Sequence, residues 1–117
     1  HINANLEQEF MLKPNAWLIK VQYIFKQIVY GVKWMHSKNI CHLDLSLENI
    51  MYIENKRRNN GNNARIQCKI IDFGLSKMFF DDIFVANNKI GKRRYMAPET
   101  YQNKNYDARK ADVYCLG

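Results

Sequence analysis

The sequence predicts an α+β fold, mainly helical with one short β-hairpin, and three observations carry that expectation. Apolar Trp17, Val21, Ile24, Ile28, Val32 and Met35 recur at three- and four-residue steps, the period of one wide helix face. Two short apolar runs, 50–53 and 66–71, read as strands. Ala97-Pro98-Glu99 starts a second helix, with Pro in the first turn and Glu where the dipole favours it.

Residues 1–15 are weakly patterned, with Leu6, Phe10 and Met11 spaced for one amphipathic turn. Asn15 suits the N-cap of the first long helix. That helix spans about 16–37, packs a core face and leaves Lys20, Gln27 and Lys33 to solvent. It frays near Ser37-Lys38-Asn39, and Ile40-Cys41 leads into a loop, His42-Leu43-Asp44-Leu45-Ser46-Leu47-Glu48-Asn49. Between the two strands lie residues 54–65, Asn-rich and charged, far longer than a usual hairpin turn. They predict a solvated or disordered insertion, with a functional basic patch as the alternative. Residues 75–94 have no period and read as a long loop anchored by Phe79, Phe80, Ile83 and Phe84. From Lys110 another apolar segment begins.

At 117 residues with 47% hydrophobic and 25% charged residues, the chain is too apolar for disorder. It opens on His1 and closes on Leu116-Gly117 in mid-pattern, and reads as an internal fragment. The net charge of +7 admits an acidic partner. The basic residues are dispersed, with clusters only at Lys56-Arg57-Arg58 and Lys92-Arg93-Arg94, and no groove-reading or base-stacking motif supports a nucleic-acid partner. Cys41, Cys68 and Cys115 form neither a disulfide framework nor a zinc pattern, which favours an intracellular, reducing compartment. Lys20 and Lys26 interrupt the most apolar stretch, so no membrane span is expected.

The chemistry concentrates in three side chains. Asp44 and Asn49 stand five residues apart in the loop, and Asp72 sits in Ile-Ile-Asp-Phe-Gly after the second strand. Such a set offers a proton acceptor and hard oxygen ligands in one cleft. Mg²⁺ takes a few protein oxygens and completes its shell with phosphate, so phosphoryl transfer fits better than hydrolysis on a softer metal.

With these residues in place, the chain resembles the carboxyl-lobe core of a eukaryotic-type protein kinase from Ala16 onward. Residues 42–49 match the catalytic loop, Asp72-Phe73-Gly74 the magnesium motif and Ala97-Pro98-Glu99 the end of the activation segment. Gly91 and Tyr95 fall in the substrate-binding loop, and Asp112 with Leu116-Gly117 resembles the start of the central helix. The resemblance implies a partial kinase domain over 1–117, without the amino lobe and later helices, inactive in isolation. It implies ATP and Mg²⁺ as cofactors and a protein substrate of Ser/Thr type. Asp44 becomes the catalytic base, Asn49 and Asp72 the ligands of magnesium and nucleotide, and Met51 the floor of the adenine pocket. His42 and Phe73 resemble the residues that stack between the lobes; His42 itself reads as a packed histidine, and Asp112 as a buried acid that caps loop amides. Asp81-Asp82 reads as a solvated face.

Two departures stand out. Leu43 replaces the Arg that pairs with a phosphorylated activation segment, and residues 77–94 contain no Ser, Thr or Tyr. Activity independent of phosphorylation there is the expectation. Ser46 stands where Ser/Thr-type kinases carry Lys, and Lys92 where they carry Thr. Either Lys92 acts in catalysis by supplying the cation that Ser46 lacks, or it is a surface lysine that attracts acidic substrates. The loop wording with the Asn-rich insertion is similar to FIKK-type kinases of apicomplexan parasites, which would allow export to a host cell. A pseudokinase scaffold, hinted at by Leu43, is the alternative function.

Overall fold

The computed structural model describes residues 14–55 and 65–117. The amphipathic turn expected at 6–11 and the centre of the insertion, 56–64, lie outside them.

Helix α1, Pro14–Ser37, is the longest element. It begins one residue before the expected cap, so Asn15 lies within the first turn. Proline's fixed φ and missing N–H suit that first position. The predicted face is the inner one: Val32 and Met35 are buried and Trp17, Val21, Ile24 and Ile28 partly so. Lys33 is exposed as expected, but Gln27 and Lys20 are not left to solvent. The Gln27 amide donates to the Ile66 carbonyl at 3.1 Å and accepts from the Cys68 amide at 2.9 Å. Lys20 donates to Glu54 at 3.4 Å and lies over the Tyr52 ring. The helix stops as Asn39 turns left-handed, φ 59°, a conformation Asn tolerates at helix ends.

Strand β1, Ile40–Cys41, leads to the loop, which closes with a 3₁₀ turn at Leu47–Asn49. The predicted hairpin follows as β2, Ile50–Asn55, and β3, Arg65–Ile70, antiparallel from Ile50↔Ile70 to Asn55↔Arg65. Gly31 lets α1 approach this hairpin, since a Cβ there would lie 3.1 Å from Ile70 Cδ1.

Residues 75–94 are more regular than their sequence suggests. Strand β4, Lys77–Met78, pairs with β1. Strand β5, Val85–Ala86, pairs with β6, Tyr106–Asp107. Two-residue strands leave no periodicity to read. Of the four expected anchors Phe79 and Phe84 are buried, whereas Phe80 and Ile83 are exposed. The chain turns at Asp81 and Asp82, both exposed with positive φ, and so carries their two neighbours outward.

Helix α2, Pro98–Gln102, starts at the predicted proline. Helix α3, Ala108–Leu116, starts two residues before Lys110, because Asp107 caps it by accepting from the Arg109 amide at 2.9 Å. Two apolar clusters form the core. One joins Cys41, Leu43, Phe79, Phe84, Ala86, Ala97, Tyr106, Ala108 and Ala111; the other joins Val32, Met35 and Leu45. The functional loop runs between them. The α+β expectation is met.

Candidate active site

The loop 42–49 is held from three sides. Asp112, fully buried, accepts from the His42 amide at 2.9 Å and the Leu43 amide at 2.8 Å. Its Oδ2 also meets His36 Nε2 at 2.9 Å. This is the expected cap on the loop, with one partner unforeseen. His36 comes from α1 and acts through a residue 76 positions away, so no local pattern announces it. His36, Cys41 and Asp112 hold their ligand atoms within 4.8 Å. Both Asp112 oxygens are already engaged with loop amides, which makes the cluster a brace for the loop.

His42 is also fully buried, with both ring nitrogens engaged. Nδ1 accepts from the Asp44 amide at 3.2 Å, which leaves Nε2 to donate to the Ile71 carbonyl at 3.0 Å. This neutral tautomer is packed, as expected, and edge-on to Phe73 with centroids 5.1 Å apart. Ile71 in turn donates its amide to the Asn49 carbonyl at 2.9 Å. Both ends of the loop therefore grip the residue immediately before Asp72.

Asn49 is buried and its Nδ2 donates twice to Asp44, to the carbonyl at 2.7 Å and to Oδ2 at 3.1 Å. With Nδ2 so engaged, the planar amide turns its neutral Oδ1 away from Asp44. Asp72 is exposed, at φ 60°, and accepts from the Gly74 amide at 3.2 Å. A short polar side chain tolerates this left-handed backbone. The donor set, one amide oxygen and one carboxylate, suits Mg²⁺. Among the described residues no hydrogen bond joins Asp72 to Asp44 or Asn49; Ile71 links them. Met51 lies on β2, half exposed, opposite Lys69.

Lys92 comes to the loop from the far side. Its Nζ donates to Ser46 Oγ at 3.1 Å and lies 3.5 Å from Asp44 Oδ1 and 3.4 Å from Glu48 Oε2. Lost hydration lowers its pKa, but the charges of Asp44 and Glu48 outweigh that and hold it above the ordinary lysine value. The neighbouring Gly91 has φ 100°, and a Cβ there would lie 2.8 Å from the Leu43 carbonyl oxygen. Only glycine allows that approach. Ser76, missed from sequence, donates to the His42 carbonyl at 3.2 Å, and Cys115 to the Tyr95 carbonyl at 3.1 Å.

The chain therefore brings a carboxylate, an amide oxygen and an ammonium to one loop, with a second carboxylate, Asp72, two residues past the end of β3. Residues 2–117 match the family model of the protein kinase domain. Similar proteins include serine/threonine-protein kinase unc-51 of Caenorhabditis elegans, 35% identical over 97 residues, 83% of this chain and 11% of that protein. Serine/threonine-protein kinase SRK2G of Arabidopsis thaliana is 37% identical over 100 residues, 84% of this chain and 25% of that protein. Serine/threonine-protein kinase ppk8 of Schizosaccharomyces pombe is 33% identical over 109 residues, 90% of this chain and 19% of that protein. The chain spans between about a tenth and a quarter of the length of these relatives. With its loop, its Asp-Phe-Gly turn and these relatives all in agreement, the chain belongs to the protein kinase domain family.

Proposed function

We propose that the protein transfers the γ-phosphoryl group of ATP to Ser or Thr hydroxyls of proteins. The observation that supports this reading is the bond network around Asp44: Asn49 fixes its carboxylate, and His42 and Asn49 both bond Ile71, the residue before Asp72. Asp44 orients the acceptor hydroxyl and takes its proton. Asn49 Oδ1 and Asp72 would hold Mg²⁺, which when bound neutralises the phosphate oxygens. Met51 is the proposed contact for the adenine ring. Little covalent work falls to the protein, and positioning carries the rate. The Ser/Thr assignment is supported by the relatives, each named as a kinase of that type.

The test is transfer from labelled ATP to protein acceptors by the full-length protein, followed by phosphoamino-acid analysis. Asp44→Asn is expected to cut kcat by about a thousandfold or more and to leave nucleotide binding intact. A wild-type protein that binds ATP and transfers nothing instead favours a pseudokinase scaffold. The FIKK-type affiliation is supported by the wording His-Leu-Asp-Leu-Ser-Leu-Glu-Asn, and with it goes the proposal of export to a host cell. Localisation of the tagged protein in its own organism checks that. For a protein that stays in its own cytosol, the three free thiols fit a reducing compartment.

A further inference from the structure

We propose that Lys92 is a catalytic residue, and that its ammonium, delivered by the substrate-binding loop, grips the phosphoryl group in transit. The inference rests on the phosphoryl-transfer reading above and goes beyond its base and metal ligands. The loop 42–49 contains no Lys or Arg, yet an ammonium stands in its midst, 3.1 Å from Ser46 Oγ and 3.5 Å from Asp44 Oδ1. Glu48 completes the set but is largely exposed, whereas Asp44 is mostly enclosed. Lys92 is therefore held between Ser46, Asp44 and Glu48, and of its two carboxylate partners Asp44 is the one less screened by water.

An acceptor hydroxyl that donates to Asp44 must bring the phosphorus to within about 3–3.5 Å of its oxygen. The phosphoryl oxygens then arrive within reach of the ammonium. As transfer proceeds, the bond from hydroxyl oxygen to phosphorus forms and the bond from phosphorus to the bridging oxygen of ADP breaks. ADP leaves with the electron pair, the hydroxyl proton goes to Asp44, and Lys92 stays protonated, offsetting charge on the equatorial oxygens.

The route of delivery adds a condition. Lys92 follows Gly91, whose backbone lies against the Leu43 carbonyl, and its own carbonyl accepts from the Tyr95 amide at 2.9 Å. Tyr95 is held in turn by Cys115. The cation is in place only while this loop is seated, so loop order and catalytic charge are one variable.

The experiment compares full-length wild type, Lys92→Ala, Lys92→Gln and the double variant Ser46→Lys/Lys92→Ala. Loss of Lys92 is expected to lower kcat by about a hundredfold, with the peptide KM changed by less than about threefold. Relocating the amine to position 46 should recover at least about tenfold of that loss. The preference for ATP over ADP in binding should also fall in both single variants. Turnover within about twofold of wild type, or a change confined to KM for acidic peptides that vanishes in high salt, overturns the proposal. Lys92→Gln carries the same prediction if Lys92→Ala does not fold. A wild type that binds ATP without transfer overturns the proposed function alone, and Lys92 is then judged on ATP-over-ADP preference: its loss supports the contact, its persistence overturns it. A protein that binds no nucleotide overturns both.

Discussion

Asp112 shows how much of the loop 42–49 is held by one buried side chain. It is fully buried and faces two backbone amides and His36. Removing one partner of such a buried, hydrogen-bonded charge strands the others. Asp112→Ala is expected to cost about 3–5 kcal/mol in denaturant unfolding of the full-length protein, and to lower kcat with it. The milder Asp112→Asn keeps an acceptor and should fall between. Asp44, Asn49 and Asp72 were legible in the sequence as candidates because they stand in short recognisable segments. Lys92 was legible only as a departure at a matched position. His36 was not legible at all, since its partner lies in another helix and a lone His has no signature.

Among the elements, the segment after Asp72 was the least legible. Two-residue strands are too short to show a period of two, and both pair with distant sequence. The hairpin and α1 were readable from periodicity, but the register of α1 on β3 was not. Gln27 lies where a helical wheel allots solvent, and its amide instead satisfies two strand groups that lack a neighbouring strand there. The activation segment carries a regulatory consequence. Leu43 is buried in the same apolar cluster as Phe79, Phe84, Ala86 and Ala97, and Arg109 stacks on Phe84 at 4.1 Å. Apolar packing holds the segment against Leu43, and Leu cannot grip a phosphate. On the proposed function, phosphatase treatment of the full-length protein is therefore expected to leave its transfer rate unchanged. Abolished activity would trace control to Ser76, Tyr95 or a more distant site.

At the scale of the molecule, α1 is apolar on both sides. Its outward face carries Ile19, Tyr23, Tyr30 and Trp34, all exposed, and among the described residues no helix is long and apolar enough to cross a membrane. Two thiols set the alkaline limit of the fold. Burial, aided by the charges of Asp112 and Asp107, pushes the Cys41 thiol up to about 12. Burial with Asp112 and Asp44 pushes Cys115 up to about 11. Both start from an ordinary value of 9.0. A raised native pKa means that the unfolded chain releases its proton first, so this stability is complete below about pH 9 and is lost as pH climbs toward 11–12. Melting temperature should fall across that window, and Cys41→Val should flatten part of the slope.

The hairpin has a practical corollary for anyone wishing to label this protein. Its ladder runs from Ile50↔Ile70, beside Asn49, to Asn55↔Arg65, about 17 Å further on at ordinary strand rise. A genetically inserted fluorophore or affinity handle between those last two residues would be carried on a paired stem away from Asp44. The far end of this ladder is thus an address for a label remote from Asn49.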